Sequence, residues 1–594
     1  VTAAAPGARP GAGWAGFAHS LRRILPLAWP VFVGQVAVLA FGTVDTVLAS
    51  RSSAEDLAAL AVGAAAYITV FIGLMGIVVA VGPIVGQLYG AGRLREAGHQ
   101  LHQAAWIALA LSALGGLLLL FPTPFVALSG VPPEVESRVR AFLAGLALAL
   151  PAALLFAAYR GFNTAVSRPK AVMVLQLGGL ALKVPLAAAL VLFGLPLPGP
   201  LAPLSIPALG VAGCGLSTAI VMWGQLVAAG WLLRRDPFYR RFELGGRGWH
   251  RPDRAAIAAQ LRLGVPMGAS ILIELTSFAF MAIFIARLGT TPVAGHQIAV
   301  NLVSLLFMMP MALGNATCAL VAQQVGAGDP ADARRLGWHG IVFGVGLAAV
   351  VGTLVFALRE PIVGLYTNDA AIAAAVLPLL GLVVVFHVFD ALQAVVAFVL
   401  RAWRIATVPM LIYAGSLWLV GLGGGYRLAF DTSGTVPPGW RGAMGFWIAA
   451  TAGLVLAGAL LLAFLAWVLR QRDPTAAPLT PFQCWSLAAA VGISLAALVG
   501  SLAPSVPMPQ VAFGDKLVHA AGYAALAIGW QLALRGRPWA TWLGVAAFGV
   551  GIECLQALLP WRSFQWLDMV ANGSGAALGL AVLAAVARRA ARRI

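Results

Sequence analysis

Apolar stretches of about 18 to 25 residues recur along the chain, parted by short polar breaks, and each is long enough to cross roughly 30 Å of hydrocarbon as a helix. Inside lipid the backbone has no water to bond, so a span of this length must satisfy its N–H and C=O groups within one helix. About sixteen such spans can be marked. A composition that is 61% hydrophobic and only 10% charged, with a mean hydropathy of +0.92, excludes a water-soluble globule, which would have to expose large apolar patches. The expected fold class is therefore an all-α polytopic membrane protein.

The formal net charge of +18 raises the question of nucleic acid. Position answers it, because Lys and Arg are retained in cytoplasmic loops. Sixteen spans with the N-terminus inside put most of the basic clusters in the cytoplasm, among them Arg22/Arg23, Arg93/Arg95, Arg334/Arg335 and Arg588 to Arg593. The basic balance is read as topological: both termini are expected in the cytoplasm of a bacterial-type inner membrane, with no nucleic-acid partner. The four cysteines lack CxxC spacing and read as small core residues, not as a metal or disulfide framework. Residues 1–20, rich in Gly, Ala and Pro, read as a disordered cytoplasmic tail rather than a signal peptide.

An internal repeat organises the first 470 residues. "LAWP" (27–30) is matched by "LGVP" (263–266), and "VGQLYGAG" (85–92) by "VAQQVGAG" (321–328). Pro30/Pro266, Arg51/Arg287, Gln87/Gln323 and Gly92/Gly328 all differ by 236. "SRPKAVM" (167–173) pairs with "ATVPMLI" (406–412) at an offset of 240, as a small insertion would produce. The "GAG" turns lack the preceding strand and following Lys-Ser/Thr of a phosphate loop, so they read as tight helix-to-helix turns. The repeat predicts two six-helix bundles, residues 21–235 and 261–470, related by a pseudo-two-fold and joined by a basic connector over 236–260. A linker over 471–483 and four further spans within 484–594 follow. Two facing bundles suit a transporter, whose cargo binds at mid-membrane depth between repeats.

With "LAWP", "TVDTVLASR" (43–51), the paired "GQLYGAG" and "AQQVGAG" turns, "GHQIAVNLVSLLFMMPMALG" (295–314) and "RPKAVM" (168–173), residues 20–470 resemble the multidrug and toxic compound extrusion (MATE) family. That resemblance implies a twelve-helix antiporter that expels organic, often cationic, compounds as sodium ions or protons flow inward, with no cofactor beyond the coupling ion and no enzymatic activity. It also matches Asp45 to the family's helix-1 aspartate, and Glu274 and Asp390 to its helix-7 glutamate and helix-10 aspartate.

The residues themselves add physics to that likeness. Asp45, Glu274 and Asp390 are the carboxylates well within predicted spans, where a charge costs at least a few kcal/mol. The bland alternative for each is an acid near a helix end reaching the interface. Two carboxylates brought together in a low-dielectric bundle cannot both stay ionised unless a cation lies between them or one takes a proton. Glu274 and Asp390 are accordingly the expected Na+ or H+ site, with Asn301 an oxygen donor for sodium or else an interhelical hydrogen bond. Phe278 and Phe386 are candidate lining residues for cargo cations, with lipid-facing or packing roles as the alternative. Pro30 is read as a hinge or a static bend. Lys183, alone in its span, pairs with a carboxylate or snorkels, and snorkelling is the expectation. The partners expected are organic cations and membrane lipids, and the chain is expected to be a monomer.

In the last segment, "DKLVHAAGY" (515–523) and "ECLQALLPWRSFQWLDMVANGSGAALG" (553–579) resemble the VanZ-like family of small membrane domains. Asp515 and His519 are four apart and share a helix face, as do Asp568 and Asn572. Asp515, Lys516, His519, Glu553, Gln556, Arg562, Asp568 and Asn572 are expected to converge at the extracytoplasmic side, either as a site for envelope lipid or glycopeptide or as a self-satisfied polar network. Two rival functions stand beside the antiporter: a flippase for lipid-linked sugars, and an envelope-lipid enzyme or binding protein acting through this last domain.

Overall fold

The computed structural model describes residues 14–123, 125–126, 132–194, 207–244, 250–432, 436–471, 481–502, 514–534, 538–556 and 565–591. The fold is 90% helix, with no strand among the described residues. Thirteen helices among the described residues are long and apolar enough to cross a membrane, from Trp14–Ser52 to Trp566–Arg589. Three more, Pro481–Leu502, Gly514–Leu534 and Pro538–Gln556, have 22, 21 and 19 residues. The chain's internal contacts gather into two units. One comprises residues 1–280, 304–347 and 394–415, and the other comprises 281–303, 348–393 and 416–594.

Within the first unit, local chemistry sets the helix ends. Ser53 caps the helix Ala54–Val78 by accepting from the Asp56 N–H at 3.0 Å. Gly92 (φ 73°) turns the chain between Val81–Gly90 and Leu94–Leu120, and Gly328 (φ 76°) turns it between Thr290–Gly326 and Pro330–Ala357. Both are left-handed positions that favour glycine, so the "GAG" motifs are helix-to-helix turns.

The landmarks 236 apart also meet in space. A Cβ on Gly90 would lie 1.8 Å from the Gln323 carbonyl oxygen, and one on Gly326 would lie 1.9 Å from that of Gln87. The Gln87 amide donates to the Ala402 carbonyl at 2.8 Å, while that of Gln323 donates to the Ala165 carbonyl at 2.7 Å. Ser167 (φ 61°) and Arg404 (φ 59°) take the same left-handed conformation. These turns correspond at an offset of 237, not the 240 read from their prolines. The second turn carries three extra residues between Arg404 and Pro409 compared with Ser167 and Pro169.

The second unit packs around aromatic contacts. Phe386 lies 5.4 Å from Trp447, centroid to centroid, and the Trp447 indole N–H points to His296 Nδ1 at 3.3 Å. Val385, Val455 and Ile552 share one apolar cluster, so the helix Pro538–Gln556 is built onto the helices that carry the first two. The sequence "NGSGAALG" allows close approach: Cβ atoms on Gly575 and Gly579 would stand 2.2 and 2.5 Å from the Ala520 and Ala524 carbonyls.

Candidate functional site

Asp45 is carried by the helix Trp14–Ser52, Lys183 by Pro169–Ala188, and Ser217 and Thr218 by Val211–Arg235. Glycine lets these helices close on one another: a Cβ on Gly34 would lie 2.1 Å from Gln176 Oε1, and one on Gly213 would lie 2.7 Å from the Leu190 carbonyl. The Lys183 ammonium sits 2.7 Å from Asp45 Oδ1. It also donates to the Cys214 carbonyl at 3.0 Å, Ser217 Oγ at 2.9 Å and Thr218 Oγ1 at 2.7 Å. Lys183 is 0% exposed and Asp45 8%.

The expectation that Lys183 snorkels is therefore overturned. Four oxygens replace the ammonium's hydration shell, and reaching an interface offers nothing better. A lysine deep in a span needs a partner, but which acid supplies it depends on which helices are neighbours.

In the second unit, Asp390 lies in Val383–Ala402 at 6% exposure and accepts from the Gln393 amide at 3.0 Å. This partner is a dipole rather than a charge. One turn earlier, His387 is fully buried and neither ring nitrogen has a hydrogen-bond partner among the described residues. Sequence reasoning passed over it, because a single histidine in an apolar run carries no periodic signal. Asn301 is exposed and accepts from the Tyr366 hydroxyl at 3.0 Å. Phe386 is buried in the contact with Trp447 described above. Glu274 and Phe278 are both half-buried on Arg254–Ala286 and belong to the first unit, and Pro30 is buried inside the first helix.

The C-terminal helices bring most of their polar cluster together. The Lys516 ammonium donates to Asp568 Oδ1 and, at 2.6 Å, to Gln565 Oε1. His519 Nδ1 meets Asn572 Oδ1 at 3.0 Å, and its Nε2 faces Asp568 Oδ2 at 3.9 Å. Glu553 Oε2 accepts from the Gln565 N–H at 3.2 Å, while its Oε1 is buried with no hydrogen-bond partner among the described residues. Gln556 turns away to the Ser501 carbonyl at 2.8 Å. Asp515 opens the helix Gly514–Leu534, its side chain lying outside the described residues, as does Arg562.

A family model described as MatE matches the chain twice, over residues 30–189 and 266–426. The two matches begin 236 residues apart. The chain is 39% identical over 450 residues to a protein described as "Probable multidrug resistance protein NorM" from Aromatoleum aromaticum, covering 75% of this chain and 93% of that one. It is 35% identical over 444 residues to "Multidrug resistance protein PmpM" from Pseudomonas aeruginosa, covering 74% and 90%. Among solved structures, the eukaryotic MATE transporter AtDTX14 superposes with a TM-score of 0.67 at 19% identity, over 77% of this chain and 99% of that one. The Vibrio cholerae MATE transporter VcmN in its bent form gives 0.66 at 17%, over the same shares. At those identities the likeness is one of fold.

Proposed function

The chain belongs to the MatE family, whose members are secondary transporters rather than enzymes, and from that premise we propose a cation-coupled antiporter that exports organic, cationic drugs by alternating access. The transporter region is two six-helix bundles, residues 21–235 and 261–470, in the inner membrane with both termini in the cytoplasm. The twofold match of the family model and the reciprocal Gln87 and Gln323 bonds support that arrangement. The C-terminal helices are a VanZ-like domain appended to it.

The exchangeable charge is carried by Glu274 and Asp390, which take up Na+ or H+ and thereby weaken the hold on a cationic drug. The observation that carries this reading is the burial of acids inside membrane helices: Asp390 is 6% exposed and accepts from the Gln393 amide at 3.0 Å, and Asp45 lies 2.7 Å from the Lys183 ammonium. Asp45 belongs to the coupling set through Lys183: a proton on Asp45 would leave the ammonium with three oxygen acceptors but no counter-charge, so this half changes charge state only at a cost of about 3–5 kcal/mol that the coupling ion must offset.

Everted vesicles with separately imposed sodium and pH gradients test the proposal. Efflux should follow one gradient in the wild type and neither in Glu274→Gln or Asp390→Asn. Full efflux by both variants would remove these residues from the coupling site.

A further inference from the structure

We propose that His519, Glu553 and Asp568 form a divalent-cation site in the C-terminal helices, built for zinc. One ligand atom from each lies within 4.8 Å of the other two. Ligands on a single tetrahedral zinc, bound at 2.0–2.2 Å, stand about 3.4 Å apart, so the three atoms need only small side-chain rotations to close on an ion.

Three features of the cluster call for a cation. Glu553 is 0% exposed, and its Oε1 has no hydrogen-bond partner among the described residues, a costly state for a carboxylate oxygen unless a positive group meets it. Its other oxygen is held by the Gln565 N–H, which fixes the carboxylate's direction. Asn572, 1% exposed, presents Oδ1 to His519 Nδ1, so that nitrogen carries a proton and Nε2 is the ring atom turned toward Asp568 Oδ2. A cation between Nε2 and Asp568 Oδ2, 3.9 Å apart, would take a lone pair from each, displacing any proton held there. An outer-sphere carbonyl oxygen that sets the imidazole tautomer is the usual support of a metal-ligating histidine.

Among the described residues, Lys516 holds Asp568 by its other oxygen, leaving Asp568 Oδ2 and the Glu553 carboxylate on the side of His519. A self-satisfied network would not leave Glu553 Oε1, Asn572 Nδ2 and the Tyr523 hydroxyl buried without partners. One imidazole with two carboxylates favours zinc over magnesium or calcium, whose shells are all oxygen.

The test uses the full chain, purified, stripped with chelator and titrated with Zn2+, Mn2+, Mg2+ or Ca2+ against a chromophoric chelator. One equivalent of Zn2+ should bind to the wild type. Binding at that equivalent should be lost in Glu553→Gln and His519→Ala, and weakened about 10- to 100-fold in Asn572→Leu, the range for an outer-sphere partner. Lys516→Met removes the competing ammonium and should tighten zinc, a gain that a misfolded variant cannot mimic. Absence of a stoichiometric equivalent in the wild type, equal retention by His519→Ala, or weaker binding in Lys516→Met would each overturn the site.

Discussion

Asp45 and Asp390 are both buried aspartates in membrane helices, yet they are stabilised in different ways. Asp45 faces the Lys183 ammonium, which shares three further oxygens of Cys214, Ser217 and Thr218. Asp390 takes an amide hydrogen from Gln393, three residues along its own helix. The difference separates two uses of intramembrane charge. A carboxylate with a built-in counter-charge is neutral as a pair and costs little more when the surroundings change. The amide contact of Asp390, three residues along, orients that carboxylate within its own helix, whereas the Lys183 contact ties Asp45 to a second helix.

The sharpest break of this comparison is at Asp390. Asp390→Asn should insert normally but lower ion-driven efflux to that of empty vesicles, and Glu274→Gln should do the same, read as drug release from everted vesicles. At the compensated site the largest effect should be on stability. Asp45→Asn strands a buried ammonium, at about 3–5 kcal/mol. The double change Asp45→Asn with Lys183→Met should recover most of it, as measured by thermal unfolding in detergent, and failure to recover would mean the two residues are not coupled. Gln87→Ala should cost about 1 kcal/mol in the same assay, and Gln323→Ala more, since its amide also donates to Ser167 Oγ at 2.8 Å. Thr218→Val is the mildest, at roughly 0.6 kcal/mol for one polar contact between membrane helices.

Much of this was legible from the chain. Span lengths follow from bilayer thickness, and the 236-residue offset survives because the same turn chemistry is needed twice: Gly92 and Gly328 both sit at positive φ. The Lys183 pairing was not legible. Snorkelling and pairing look alike until the helices bearing Asp45 and Ser217 are known to be neighbours of Lys183, and that neighbourhood is set by glycines such as Gly34 and Gly213 rather than by any charge pattern. His387 was passed over for the same kind of reason, since burial without a partner is a property of three dimensions. In the C-terminal cluster, spacing by four gave the shared faces of Asp515/His519 and Asp568/Asn572. The departure of Gln556 to Ser501 depends on a helix distant in sequence.

The crossed glutamines carry one last implication. Gln87 grips the backbone beyond one turn and Gln323 grips its counterpart, while Gly90 and Gly326 leave no thickness between the helix ends. Parting those ends would strain both grips, so each adds to what the other contributes. At about 1 kcal/mol apiece, the fastening is firm enough to define a resting position and weak enough for ordinary thermal agitation to undo.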